Sequence, residues 1–549
     1  MCTLPLRFRP ATIFHNLKTR RVPGRSGAKV LIKICCLLLL STIAATRVYA
    51  ELPHFEHIII VIQENRTPDN LFGGNPGFEP GVDIVPAAIG HPYTLAACFD
   101  PSHRHSAWEA QYSDTTGLYT PCASYVDTSS CPPNLPNWCL QDTFVPASEV
   151  DPYFQIASHY GWANDMFQTT QGPSYPAHFF LFSGTSAPTN DPSGDIDFTK
   201  YFVSGNSAGF DDSGCTANLG ETANDIDRTG HESYLFTPPF ITWGNAGYPC
   251  YRHASLADLL DHATPTALSW RYYAWHKPKA IWNTPYSLYD MCQPNYPGTT
   301  GSCRGPHFTG SDPDVITTEQ QVLNDIGNCR LRRVSWVIPD GNWSDHPGQA
   351  ATLNGPAWVT SIVNKIGSSW TVSGNQCDYW GDQTSVSDIR HQPTLILITW
   401  DDWGGWYDHV PPYQILVDKP GNPCVVWGCG YISGFRVPLL VVSAFTDEHT
   451  ISGPSSNPDC ANNTYCHDFG SILKFVESNW GLPGIGSRDG GVSYADDFAP
   501  DNKNNNIPLS EFFNLTAPRS FHVISLPPGS PAESYFTSYT GAVAPDNEN

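Results

Sequence analysis

The chain has 549 residues, with 29 Lys and Arg against 52 Asp and Glu, a formal net charge of −23 at pH 7. So acidic a balance excludes nucleic acid as a standing partner, and an anionic membrane surface as well, because both need a basic footprint. A lipid remains possible only as a substrate. The length would allow two or more domains, but the candidate ligands below run from Glu64 to Asp402, so one composite core has to hold them.

Residues 1–50 contain no Asp or Glu and nine of the basic residues, followed by an apolar stretch through Cys35-Cys36-Leu37-Leu38-Leu39-Leu40 and the small-residue end Val48-Tyr49-Ala50. That pattern predicts a secretory signal region, and so a secreted or periplasmic protein. The apolar part is short for a membrane span. Without this region 20 basic residues face 52 acidic ones, a net charge of −32. The 17 cysteines fall by three, leaving an even 14 at scattered spacings, which suits disulfides in an oxidising compartment. Cys460 with Cys466 is a plausible local pair, as is Cys424 with Cys429.

The β-branched run His57-Ile58-Ile59-Ile60-Val61-Ile62-Gln63 predicts a buried strand, and Glu64-Asn65 follows it directly. Segments 73–151 and 191–249 read as loop-rich insertions, Gly and Pro being frequent in them. Between them, Ser174 in Gly172-Pro173-Ser174-Tyr175-Pro176-Ala177-His178 precedes the apolar Phe179-Phe180-Leu181-Phe182. A serine there lies at a helix N-terminus, where the dipole favours an anion or alkoxide, so it is a candidate nucleophile; an ordinary N-cap is the alternative. Helices are expected over Ser255–Leu260, from Thr318 past Ile326, over Pro356–Ile366 and over Gly470–Trp480. Strands are expected over Arg333–Ile338, Thr394–Trp400 and Val437–Ser443.

The strand Thr394–Trp400 ends in Asp401-Asp402, just as the first ends in Glu64-Asn65. If the two strands are neighbours, four oxygen donors converge at the carboxyl ends of a sheet, the position where open α/β folds bind ligands. An all-oxygen set suits one hard divalent cation such as calcium or magnesium. The plain alternative is two solvated strand-end turns.

These motifs together resemble the bacterial phosphoesterase family of the alkaline phosphatase superfamily, which includes phospholipases C and acid phosphatases. The resemblance rests on Gln63–Gly73, Gly172–Ser186, Ser335–Pro339 with Asp345-His346-Pro347, Thr399–His409 and His467–Phe475. It implies an α/β three-layer sandwich around a mostly parallel sheet, alkaline-phosphatase-like, with long insertions. It further implies that Glu64, Asn65, Ser174, Asp401 and Asp402 bind the metal, that Ser174 attacks phosphorus, and that His346 assists phosphate binding or leaving-group departure. Asp100–Trp108 resembles a rim segment of that family, with His105 preferred to His103 for contact with substrate. Members often carry Asn-Arg or Asn-His where Ala177-His178 stands here, so the amide contact is lost while His178 is placed to face the phosphate. His409 reads as a structural support of the Asp401-Asp402 loop.

The organisation expected is a signal region over 1–50, one phosphoesterase α/β domain over 51–500, and a polar tail over 501–549. The function expected is a secreted, metal-dependent phosphoric ester hydrolase acting through a phosphoserine, of the acid phosphatase or phosphodiesterase type. Phospholipase C activity on phosphatidylcholine-like lipids is the alternative. A secreted calcium-binding scaffold without catalysis is a third.

Overall fold

The computed structural model describes residues 52–85, 90–112, 121–186, 200–204, 214–217, 224–227, 232–233, 249–252, 254–275, 281–294, 302–348, 351–372, 374, 376–383, 391–413, 432–453, 460, 465–485 and 507–544. The signal region and the Cys424/Cys429 pair lie outside them. The described residues surround an eight-stranded sheet. Its strands, numbered here in chain order, are β1 (His57–Gln63), β2 (Gly161–Ala163), β3 (Trp270–Tyr273), β4 (Val315–Ile316), β5 (Val334–Val337), β6 (Thr394–Trp400), β7 (Leu439–Val442) and β8 (Thr450–Ser452).

The spatial order is β4-β3-β5-β1-β6-β7-β2-β8. Strand β7 runs antiparallel to its neighbours β6 and β2, and every other pairing is parallel. The two long apolar runs are therefore neighbours at the centre, paired in register from His57↔Thr394 to Gln63↔Trp400. All seven residues of each are buried, as expected of parallel strands covered on both faces.

The helices used below are α1 (Pro68–Phe72), α2 (His105–Gln111), α3 (Asp151–His159), α4 (Ser174–Ser183), α5 (Leu256–Asp261), α6 (Gln321–Gly327), α7 (Asn354–Gly367), α8 (Phe469–Trp480) and α9 (Glu533–Ser538). Strand alternation shows that they cover both faces. Trp336 of β5 is level with Ile60 of β1, and the Phe182 ring of α4 packs on it at 4.9 Å. Trp400 of β6 is level with Gln63, three residues beyond Ile60 and so on the opposite face; there it meets Tyr153 of α3 at 5.2 Å. The fold is a three-layer α/β sandwich.

The sequence signals that start and stop these helices act as their chemistry dictates. Ser255 caps α5 in a capping box with Asp258, and Asp468 does the same for α8 with Ser471. Gly184 and Gly481 end α4 and α8 in left-handed conformation, at φ 71° and 63°. Six disulfides link the described residues: Cys98–Cys131, Cys122–Cys139, Cys215–Cys250, Cys292–Cys303, Cys329–Cys377 and Cys460–Cys466. Two of them brace the loops between α1 and α3, where regular structure is sparse.

Within the stretch expected to be a polar tail, residues 507–544 carry apolar anchors. Leu509, Phe512 and Phe536 are fully buried. Phe536 packs edge to face against Trp343 and Trp358, and Glu511 accepts a 2.6 Å hydrogen bond from Ser452 of β8. Apolar residues scattered among prolines and polar groups have no periodicity, which is why the sequence does not announce them.

Candidate active site

Because β1 and β6 are paired in register up to Gln63↔Trp400, the residues that follow emerge side by side at the carboxyl end of the sheet. Glu64, Asn65, Asp401 and Asp402 are all fully buried there. The two strand ends are bonded to each other: Asp401 N–H donates to the Gln63 carbonyl (3.0 Å), and Asp401 Oδ1 accepts from the backbone N–H of Asn65 (3.0 Å) and of Asp402 (2.8 Å). Those bonds occupy one Asp401 oxygen and leave Oδ2 turned elsewhere. Asn65 sits at φ 58°, the left-handed region that Asn tolerates best among residues with a side chain.

The next turn keeps the loops this close. Gly404 has φ 62°, and its Cα lies so near Asn65 that a Cβ would stand 2.3 Å from the Asn65 carbonyl oxygen. Gly404 N–H donates to Asp402 Oδ1 at 2.6 Å, fixing that carboxylate. Trp403 N–H donates to Gln168 Oε1 at 2.7 Å.

Helix α4 brings the third component. Its N-cap is Pro173 and Ser174 is its first residue, so the N-cap alternative is not what the structure adopts. Instead Ser174 Oγ lies 3.3 Å from Asp402 Oδ2 and 3.4 Å from Glu64 Oε2. One helical turn on, His178 Nε2 lies 3.5 Å from Glu64 Oε1 and 3.7 Å from Asp401 Oδ2. His178 thus stands among the carboxylates.

Glu64, His178 and Asp401 each offer a ligand atom within 4.8 Å of the others, all buried. The side-chain amide of Asn65 is buried with no hydrogen-bond partner among the described residues. A buried amide in that state is expected to hold something. Four side chains from two strand ends, with the Ser174 hydroxyl, form a donor set that fits a divalent cation.

The loop after β5 supplies the histidine. Gln63 ties it to the end of β1, donating to Trp343 O (3.1 Å) and accepting from Asp345 N–H (3.0 Å). The buried Arg66 clamps it further by donating to the Asp345 carbonyl from Nε (2.9 Å) and Nη2 (2.7 Å). Burial raises the Asp345 carboxyl to about 6, although Tyr153, Arg66 and Trp400 all favour its charge. His346 is fully buried, and its Nδ1 donates to the Pro347 carbonyl at 2.6 Å.

His103, not His105, is the histidine that meets it. The two rings lie edge to face with centroids 5.6 Å apart, and Asp100 completes a group whose ligand atoms lie within 4.8 Å of one another. His103 is fixed in the same manner as His346, with Nδ1 against the Pro101 carbonyl at 3.0 Å. His105 opens α2 instead; it stacks on Trp108 and approaches Glu109 at 3.7 Å. A histidine just before a helix and one just inside it look alike in sequence, and only the backbone path separates them.

Behind the site lies a charge network that the sequence does not reveal. Fully buried Arg436 donates to both Asp408 oxygens (2.8 and 3.1 Å), and His409 bonds Asp69 Oδ2 (2.7 Å) and Asp83 Oδ1 (3.2 Å). Burial opposes charge on His409, but those two carboxylates raise it to about 9. The network joins α1 to the loop after β6.

The model of the Phosphoesterase family matches residues 55–374 and 383–483. Phospholipase C A of Mycobacterium tuberculosis is 22% identical over 498 residues, covering 84% of this chain and 80% of that protein. Phospholipase C B of the same organism is 23% identical over 466 residues, with 79% and 74% covered. Non-hemolytic phospholipase C of Pseudomonas aeruginosa is 20% identical over 500 residues, with 84% and 59% covered. The matched segments contain every residue of the cluster just described, and the chain belongs to the Phosphoesterase family, a hydrolase acting on phosphoester bonds.

Proposed function

We propose that this hydrolase is exported and splits phosphoric esters through a phosphoserine on Ser174. The observation that carries this is the placement of Ser174 Oγ between Asp402 (3.3 Å) and Glu64 (3.4 Å), at the amino end of α4. Glu64, Asn65, Asp401 and Asp402 would hold a divalent ion with it. That ion supplies positive charge to the phosphoryl oxygens and lowers the cost of ionising the serine.

The chain's own groups do the remainder. The serine hydroxyl donates toward the two carboxylates, and its oxygen forms the bond to phosphorus in line with the departing oxygen. The dipole of α4 favours the negative charge that develops there. His346, held through Nδ1, protonates the leaving oxygen from Nε2 as the phosphorus–oxygen bond breaks. Water then adds its hydroxyl to phosphorus and gives its proton to His346 Nε2, while the Ser174 oxygen takes back the proton it gave to the carboxylates as its bond to phosphorus breaks. We assign the substrate-facing role in the rim segment to His103, whose ring stands against His346.

The substrate class is an ester with an open range of leaving groups, phosphatase or phosphodiesterase in type. A specific finding favours phospholipase C as the second reading: the relatives found at 20–23% identity are phospholipases C. Export is supported by the six disulfides, and no helix among the described residues is long and apolar enough to cross a membrane.

Turnover of p-nitrophenyl phosphate, p-nitrophenyl phosphorylcholine and phosphatidylcholine by the purified mature protein, before and after chelation, separates these substrates. Ser174→Ala is expected to remove nearly all activity with the fold intact, and a phosphoryl group trapped on Ser174 supports the covalent route. Near-normal turnover by Ser174→Ala defeats it.

A further inference from the structure

The donor set contains a nitrogen that an all-oxygen metal site has no use for. Ser174 and His178 are four residues apart on α4, so they share a face one turn apart. Glu64 divides its carboxylate between them, Oε2 toward the serine (3.4 Å) and Oε1 toward the imidazole (3.5 Å). Asp401 is divided too: Oδ1 is taken by two backbone N–H groups, and Oδ2 lies 3.7 Å from His178 Nε2. Both carboxylates and the imidazole are wholly buried.

Two arrangements would bring an imidazole this near two carboxylates. A bonded ion pair brings nitrogen and oxygen to roughly 2.7–2.9 Å. Donors that share one small cation, each roughly 2.1 Å from it, stand about 3–3.5 Å or more from each other. The separations of 3.5 and 3.7 Å belong with the second case. A substrate-facing role fares worse, because Nε2 is turned to the two carboxylates that would bind the ion.

We infer that His178 Nε2 is itself a ligand of the metal centre, which makes the donor set mixed and selects a first-row transition ion, such as iron or zinc, over calcium. Imidazole is a good ligand for those ions and a poor one for calcium, which takes oxygen almost exclusively. The inference rests on the metal-centre reading of Glu64 and Asp401, and it replaces the expectation of a hard cation held by oxygen alone.

The test is electron spin-echo envelope modulation of the full mature chain loaded with Mn²⁺, alongside metal content and competition with Ca²⁺. The wild type is expected to show modulation from a directly bound nitrogen. His178→Gln should lose it while still binding Mn²⁺, with affinity lowered at least roughly 10-fold, the smaller end of what even outer partners of a metal cost, and with preference over Ca²⁺ reduced. If that variant does not fold, wild-type modulation that survives in His103→Gln and His346→Gln assigns the nitrogen to His178. Bound Mn²⁺ without nitrogen modulation overturns the inference, and so does modulation that persists in His178→Gln. Failure of the wild type to bind Mn²⁺, or binding that Glu64→Gln leaves unchanged, overturns the metal-centre reading beneath it.

Discussion

Replacing Gly404 by alanine tests whether the two loops that carry the proposed metal ligands must touch. The new methyl would stand 2.3 Å from the Asn65 carbonyl oxygen and 2.7 Å from its Cβ, both on a residue that is itself fully buried. Ordinary carbon contacts need about 3.5 Å, so the loops must part by roughly 1 Å. Misplacement on that scale costs on the order of 10²-fold in rate. Alanine at positive φ adds about 1–2 kcal/mol of strain wherever it occurs. Gly481 provides the control, since it has φ 63° with no atom within 4 Å of its would-be Cβ. Gly481→Ala is expected to lose only the strain energy, measured by urea unfolding, and to keep kcat/KM for p-nitrophenyl phosphate. Gly404→Ala should lose more stability and about a hundredfold in kcat/KM. If the two variants behave alike in both assays, the close approach of Gly404 to Asn65 has no part in building the site.

Asp401→Asn and Glu64→Gln should each lower bound divalent metal, read by elemental analysis; full metal content and activity in both would mean that the two strand ends do not form one centre. His346→Ala should slow an alkyl phosphate far more than p-nitrophenyl phosphate, whose phenolate leaves without a proton; equal losses on both reject the general acid. His409 has its folded-state pKa raised from 6.5 to about 9, so its stabilisation is complete below pH 6.5 and fades as pH climbs through 9. The wild type should therefore lose on the order of 2 kcal/mol across that window by urea unfolding, and His409→Gln should flatten the loss; identical pH profiles refute this.

The centre of the molecule is legible in the sequence because burial on both faces leaves an unbroken apolar run, and both such runs, at β1 and β6, end in residues with oxygen-bearing side chains. Adjacency of those runs puts Glu64 beside Asp401, and the sequence can pose that adjacency only as a condition. The sheet margins are another matter. Strands β2, β4 and β8 have three, two and three residues, too few to show a period of two. Arg436 is harder still, since a single arginine beside a strand reads as a solvated charge, while here it is sealed against Asp408. The choice between His103 and His105 depended on where α2 begins, and neither residue carries a capping signal that would fix it.

The order of strands in the sheet also governs how the chain can be assembled in time. The central strand β1, His57–Gln63, leaves the ribosome early, yet its hydrogen-bonding partners are residues 334–337 on one side and 394–400 on the other. Until those are made, a seven-residue β-branched segment has both edges open and no cover, which is the condition under which strands pair with the wrong chain. Contacts so distant in sequence make for slow folding. A newly made molecule therefore passes a long interval in need of a chaperone or of dilution, and its yield in any host should depend more on that interval than on the stability finally reached.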